Sequence, residues 1–204
     1  MKNRTFHLSL LLSLLGIFIW SVIEPKDMFT WFLETLPAIL GIGILMILYP
    51  KFKFSNLVYF LIWIHCIILI VGAHYTYAEM PLFDWIQDYF DLSRNYYDRV
   101  GHFAQGFIPA MIVREILIRN KVIKNEKWLV LIIIFVCLGI SAAYELTEFT
   151  AGHLKGESAE VFLGTQGDGW DTHYDMLCAL CGAIISLLSL SKLHDQSLKK
   201  CQLN

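Results

Sequence analysis

Six residues, grouped in three pairs, combine types and spacings that could do chemistry. They are Asp98 with His102, Glu145 with Glu148, and Asp171 with Asp175. Side chains three or four positions apart share one face of a helix. Carboxylates with one imidazole suit Mg²⁺, Mn²⁺, Fe²⁺ or Zn²⁺, and they can also act as acids or bases. All six are therefore candidate metal ligands, and all except Glu148 are candidate catalytic residues, with His102 as a ligand or proton carrier.

The same residues allow a second interpretation. Clustered carboxylates repel one another, and burial makes their ionisation still harder. A bound divalent metal relieves that repulsion. A hydrogen-bonded network does so too, if Arg99 and shared protons neutralise the carboxylates, and such networks hold helix bundles together. The sequence leaves both interpretations open.

The elements that position these residues follow from an apolar composition. Of the 204 residues, 56% are hydrophobic and 17% are charged, and the mean hydropathy is +0.55. This composition excludes an ordinary soluble globular protein and a disordered chain. A formal net charge of −2 argues against a nucleic-acid binder, which needs a surplus of Lys and Arg. Membrane lipids are the expected partners, and protein partners stay undefined.

Six apolar runs predict an all-α, polytopic membrane helix bundle. They lie near residues 6–23, 31–49, 56–75, 99–118, 128–148 and 172–190. A helix of about 20 residues covers the ~30 Å hydrocarbon core. The first run has no small-residue cleavage site at its end, so we interpret it as a membrane helix rather than a signal peptide. We expect one integral membrane domain over residues 1–204.

The distribution of charge predicts the orientation of these six spans. Twelve of the 16 lysines and arginines fall on one side of the membrane, and 15 of the 18 carboxylates fall on the other. Since positive loops stay in the cytoplasm, both termini are predicted to be cytoplasmic. All three polar pairs then lie at the outer leaflet, in an outward-facing cluster.

Two outer connections are long enough to have structure of their own. Near residues 82–92, an apolar stripe that includes Trp85 and Tyr89 lies opposite acidic residues, which predicts a helix in the outer interface or one packed on the bundle. The connection at 150–170 is rich in glycine and is expected to be an irregular cap.

Three polar residues within the spans are expected to have no functional role. His65, near the middle of the bilayer, is predicted to be a satisfied core histidine. Glu115 and Arg119 are expected to form a surface pair at the cytoplasmic end of the fourth span. A surface pair of this kind stabilises a protein by less than about 1 kcal/mol.

Three motifs resemble the YjdF-like family of bacterial inner-membrane proteins, over essentially the whole chain. They are the segments 97–103 (YDRVGHF), 144–148 (YELTE) and 166–172 (QGDGWDT) followed by Asp175-Met176. The resemblance implies a multi-pass inner-membrane protein and no particular reaction. A more distant similarity connects the chain to VanZ-like proteins, which are linked to glycopeptide-antibiotic resistance. Seven residues fit the VanZ-like pattern, namely Asp98, Arg99, His102, Phe103, Glu145, Asp175 and Gly182. At one position the chain departs from it, because Ala179 stands where that pattern has Asn.

Three classes of function remain after these observations. The first is a binding or structural protein of the cell envelope. The second is a metal-dependent enzyme that acts on a lipid or envelope precursor at the outer leaflet. Transport is disfavoured because the inner halves of the spans offer mainly serines such as Ser9, Ser13 and Ser186, whereas a pathway needs polar groups through the whole membrane.

The predicted topology can be tested with reporter fusions at the carboxyl end. A fluorescent protein fused there should fold and fluoresce, because the fusion would remain in the cytoplasm. Alkaline phosphatase at the same position should be inactive. An active phosphatase fusion would contradict the six-span arrangement.

Overall fold

This computed structural model describes residues 2–155 and 165–202 of the chain. These residues form seven helices and one short 3₁₀ turn. The helices are α1 (Lys2–Val22), α2 (Met28–Leu48), α3 (Asn56–Tyr75), α4 (Pro81–Phe90), α5 (Tyr97–Arg119), α6 (Glu126–Lys155) and α7 (Asp171–Gln202), with the 3₁₀ turn at Tyr77–Glu79. The described residues contain no strand. The predicted all-α class is confirmed.

Short polar side chains begin several of the helices. The Asp27 carboxylate accepts a hydrogen bond from the backbone N–H of Thr30 at 2.7 Å and begins α2. Ser55 begins α3 in the same way, and the Asn125 side chain accepts from the N–H of Lys127 at the start of α6. Such caps satisfy backbone donors that have no partner inside the helix. The apolar runs are therefore bounded by residues that favour a helix start.

Within the described residues, five helices are long and apolar enough to cross a membrane. They are α1, α2, α3, α6 and α7. The fourth predicted span corresponds to α5, which is not among them. The predicted count of six spans is therefore not confirmed by helix length and hydropathy. Its 23 residues include His102, Gln105, Arg114 and Glu115, which lower its apolar content.

The reason for the polar content of α5 is its central position. α5 packs on α3, α6 and α7, while α1 and α2 pack on α3. Ten residues of α5 are buried, among them Asp98, His102 and Glu115. A helix enclosed by other helices can carry polar groups that a lipid-facing helix cannot, because its neighbours supply the partners. The lower hydropathy of α5 is thus consistent with its position at the centre of the bundle.

α5 and α7 cross with their backbones almost in contact. A Cβ atom added to Gly106 would lie 1.8 Å from the carbonyl oxygen of Ala179, and one added to Gly182 would lie 2.2 Å from that of Phe103. Small residues at such positions let membrane helices approach closely and gain van der Waals contact. Ala110 of α5 and Ala183 of α7, both fully buried, belong to the same hydrophobic core cluster.

The two connections that were predicted to have structure of their own agree with the prediction to different extents. The predicted helix near 82–92 is present as α4, and none of its residues is buried. At the predicted cap at 150–170, α6 extends to Lys155, residues 165–170 form turns, and residues 156–164 lie outside the described part of the chain. Both long helices, α6 and α7, exceed the roughly 20 residues that the hydrocarbon core requires.

The close crossing predicts that Gly106→Ala destabilises the protein. The added methyl group would meet the Ala179 carbonyl, so the helices must separate, at an expected cost of about 2 kcal/mol or more. Gly139→Ala is the matched control, because a Cβ there meets no described atom within 4 Å. Thermal unfolding in detergent measures both. Equal melting temperatures for the two variants would contradict the crossing.

Candidate functional site

The segments that precede α5 and α7 are joined by two amide hydrogen bonds. The backbone N–H of Asn95 donates to Oε1 of Gln166, and Nε2 of Gln166 donates back to the Asn95 carbonyl, both at 2.9 Å. Gln166 and Gly167 have φ values of 47° and 82°, which make a left-handed turn. The Asn95 side chain also donates to the Met80 carbonyl and to Asp84, which ties in the start of α4. The first turns of α5 and α7 are therefore held side by side.

Two arginines form the outer part of the site. Arg94 pairs with Asp171, and its guanidinium lies 3.6 Å from Asp168 and 3.7 Å from Asp98. Arg99 is 2.6 Å from Asp171 and 3.3 Å from Asp168, and it pairs with Asp175. We call Arg94, Arg99, Asp168 and Asp171 the arginine layer. In this layer charge-assisted hydrogen bonds offset the repulsion between carboxylates.

His102 lies at the centre of a second group of carboxylates. Its Nε2 atom is 3.5 Å from both Asp98 Oδ1 and Glu145 Oε1, and 3.8 Å from Asp175 Oδ1. Its Nδ1 atom is 3.1 Å from Oε1 of Gln105, one turn along α5. The imidazole is 4% exposed, so these contacts replace water almost completely. Sequence-distant acids from α5, α6 and α7 thus meet at one ring.

Five of the six predicted site residues lie close enough together to share a metal ion, in two groups of three. Ligand atoms lie within 4.8 Å of one another in two groups, which are Asp98 with His102 and Asp175, and His102 with Glu145 and Glu148. Asp171 falls in neither group. Its Oδ1 atom contacts both arginines, so it belongs to the arginine layer.

A cavity of about 370 Å³ opens beside His102 and includes a carboxylate that the sequence analysis missed. Glu34 of α2 is 3% exposed and accepts a hydrogen bond from the backbone N–H of Tyr77. Its Oε2 atom has no hydrogen-bond partner among the described residues. The signal was available in the sequence, because Glu34 is the one carboxylate inside the apolar run at 31–49.

Tyr77 forms another wall of this cavity. Its ring fills the space above two glycines, where a Cβ at Gly72 or Gly101 would come within 2.8 Å of it. Burial raises the pKa of the Tyr77 phenol well above its ordinary value, so the hydroxyl keeps its proton. That hydroxyl is buried and meets no hydrogen-bond partner in the described chain, which leaves a donor free for a ligand.

The two histidines of α3 have different positions. His65 lines the cavity, and its buried Nε2 atom has no hydrogen-bond partner within residues 2–155 and 165–202. The prediction of a satisfied core histidine is therefore wrong. His74 is 3.1 Å from the Ser21 carbonyl, packs on Trp20, and does not line the cavity.

Negative charge exceeds positive charge across the whole site. Among the residues that the structure describes, seven carboxylates lie in or beside it, against two arginines and one histidine. These are Glu34, Asp98, Glu145, Glu148, Asp168, Asp171 and Asp175. The arginines pair with Asp98 and with the three aspartates of the segment 168–175, whereas Glu145 and Glu148 lie beside His102. The glutamate side of the cavity consequently favours protons or an added cation.

A second polar cluster lies at the opposite end of α5, where only a surface pair was expected. Glu115 is fully buried and accepts hydrogen bonds from the Ser55 N–H at 2.8 Å and from Arg119 at 2.9 Å. Buried His194 of α7 donates to it from Nε2 at 3.0 Å. The prediction of a surface pair is wrong, because α7 continues past the apolar run and covers Glu115.

The tautomer of His194 follows from its other neighbour. Arg114 lies 2.9 Å from Nδ1 of His194, and a guanidinium can only donate. Nδ1 therefore accepts, and Nε2 carries the hydrogen that Glu115 receives. This cluster also weakens the argument against transport, which assumed that the inner halves of the spans hold mainly serines.

Comparison with known proteins identifies relatives over nearly the full length. The family described as "Predicted membrane protein (DUF2238)" matches residues 6–196. The "Inner membrane protein YjdF" of Escherichia coli (strain K12) is 42% identical over 189 residues, which cover 93% of this chain and 90% of that protein. No solved structure matches. With its several apolar helices, the chain is a multi-pass protein of the inner membrane.

The buried position of Glu115 predicts that Glu115→Gln destabilises the protein by roughly 3 kcal/mol, because it removes one partner of a buried ionic network. Glu126→Gln is the matched control, since Glu126 is exposed at the start of α6. Reversible unfolding in mixed micelles measures the two differences. Similar stability for both variants would contradict the buried network and would support the original expectation of a surface pair.

Proposed function

The chain belongs to the DUF2238 family of predicted membrane proteins, and from that premise we propose that it binds a divalent cation in an outward-facing cavity of a six-span bundle. Both termini lie in the cytoplasm in this arrangement. The binding or structural role belongs to the cell envelope, where the cavity faces.

The sixth span of the proposal is α5. Its 23 residues extend roughly 35 Å, enough for the hydrocarbon core. Its contacts with α3, α6 and α7 supply partners for its polar residues. The division of cations and carboxylates between the two sides of the membrane supports the same arrangement.

The observation that carries the cation proposal is the presence of buried glutamates whose carboxylates are incompletely hydrogen-bonded. Glu34 and Glu145 are buried, and each has an oxygen atom without a hydrogen-bond partner in the part of the chain that the structure describes. An ionised carboxylate in such surroundings is costly unless it is paired or bound to a metal. A divalent ion near His102 relieves this cost for several carboxylates at once.

The residues closest to the proposed ion are Asp98, His102 and Asp175, with Glu145 and Glu148 on the other side of the imidazole. Oxygen ligands with one imidazole nitrogen suit Mg²⁺, Mn²⁺, Fe²⁺ or Zn²⁺. Asp171 has a positioning role in this proposal, because it holds Arg94 and Arg99 beside the site.

A second candidate is a metal-dependent enzyme that acts on a lipid or envelope precursor. The observation that favours it is the mixed lining of the cavity, in which Leu69, Pro109 and Ile140 add apolar surface to the acidic residues. An amphipathic substrate could place its polar part at the acidic residues and its apolar part against this surface. In that case Asp98, His102, Glu145 and Asp175 would supply acid or base groups beside the Lewis-acid metal.

Metal analysis of the purified protein tests the cation proposal. Wild-type protein should retain close to one equivalent of a divalent metal, and Asp98→Asn or His102→Ala should lose most of it. A chelator should lower the melting temperature of the wild type, because a ligand bound only by the folded state stabilises that state. Asp88→Asn, an exposed carboxylate of α4, is the matched control and should keep its metal.

A network neutralised by protons and arginines alone predicts a different set of results. Chelator would then leave the melting curve unchanged, and Asp98→Asn would lower stability without any loss of metal. Less than about a tenth of an equivalent of every divalent metal, together with that unchanged curve, would overturn the proposal.

A further inference from the structure

We propose that the end of the bundle opposite the carboxylate site binds an anionic phospholipid, with its phosphate head group in a basic cavity and an acyl chain in an adjoining apolar groove. The basic cavity has a volume of about 1310 Å³. It is formed by the start of α1, the connection between α2 and α3, and the last turns of α7. This site is independent of the proposed cation site.

The first observation is the charge of the cavity wall. Arg4, Lys51, Lys53, Arg119 and Lys200 line it, and no Asp or Glu is among the described residues that do so. Asn3, Asn56 and Gln196 add neutral hydrogen-bonding groups. Basic pockets between membrane helices suit the phosphate of an acidic lipid. This concentration of positive charge attracts an anionic head group and repels a cationic occupant.

The second observation is that one of these cations is held in place. The Arg119 guanidinium stacks 4.0 Å from the centre of the Phe52 ring, and it donates to the Lys53 carbonyl and to buried Glu115. Glu115 in turn receives the Ser55 N–H. The connection between α2 and α3, which carries Lys51 and Lys53, is thereby tied to the end of α5.

The third observation is the apolar groove that continues from the basic cavity. α1 and α2 both pack on α3, and between them lies a groove of about 330 Å³. Leu11, Leu14, Ile42, Leu45, Met46 and Ile62 line it. Free phosphate has no apolar part that could bind in such a groove, whereas the acyl chain of a phospholipid can fill it.

His7 and Tyr49 join the two parts. Both residues, together with Arg4, line the basic cavity and the groove. His7 lies 3.0 Å from the Tyr49 hydroxyl and 2.9 Å from Asn56 Oδ1, so the junction is ordered by its own hydrogen bonds. A phosphate above this junction and a chain below it match the two halves of one phospholipid.

The test compares lipids of opposite head-group character on the detergent-purified full chain. Phosphatidylglycerol and phosphatidylcholine with identical acyl chains are titrated while thermal unfolding is followed, and retained lipid is measured by native mass spectrometry. We expect at least tenfold tighter apparent binding of phosphatidylglycerol. Equal binding of the two lipids would overturn the proposal.

Charge variants locate the head group. Arg4→Gln combined with Lys51→Gln and Lys53→Gln should weaken phosphatidylglycerol binding at least tenfold. Lys124→Gln, Lys127→Gln and Lys192→Gln together remove the same charge at exposed positions outside the cavity, and binding should stay within twofold of wild type. Equal losses in the two triple variants would mean general attraction to basic surface and would overturn a defined site.

Two further arms distinguish a lipid from a free anion. Leu11→Trp fills the groove and should weaken lipid binding several-fold, whereas Leu12→Trp, the neighbouring residue outside the groove, should not. Inorganic phosphate should give much less stabilisation than phosphatidylglycerol. An unchanged affinity in Leu11→Trp, or equal stabilisation by inorganic phosphate, would overturn the lipid assignment.

Discussion

The close parallel contact of α5 and α7 is the constraint on which the rest of the structure depends. Gly106 and Gly182 leave no room for a side chain between the two backbones. Both helices run in the same direction, since Arg99 meets Asp175 near their starts and Glu115 meets His194 near their ends. One apolar crossing therefore aligns two polar clusters, one at each end, and neither cluster could form if the helices were a side chain's width apart.

This arrangement explains why α5, which is less apolar than the five candidate membrane spans, lies at the centre of the bundle. Buried charges are costly in hydrocarbon, so their partners must come from neighbouring helices. Near the starts of α5 and α7 the partners of α5 are aspartates of α7 and a glutamate of α6. Near the carboxyl ends of these helices they are His194, the Ser55 N–H and Arg119. Polar residues on α5 thus specify which helices surround it.

The two ends differ in the balance of their charges. Near the carboxyl ends of α5 and α7, Glu115 has three donors, and the surrounding surface is basic. Near the starts of these helices the two arginines pair with aspartates, whereas Glu145 and Glu148 lie beside His102 and Glu34 lines the same cavity. A bundle with a cation-poor acidic cavity at one end and an acid-poor basic cavity at the other is suited to bind oppositely charged ligands at its two faces.

The sequence alone determined the all-helical class and the approximate helix positions, because apolar run length and capping residues act locally. It also identified four carboxylates that meet around the imidazole of His102, since same-face pairs at helix ends of one depth are expected to lie close together. Only the tertiary structure assigned Asp171 to the arginines, added Glu34 and Arg94 to the site, and buried Glu115 under α7. Those outcomes depend on which helices touch and at what distance, and the crossing at Gly106 and Gly182 decides this through contacts between residues far apart in the chain.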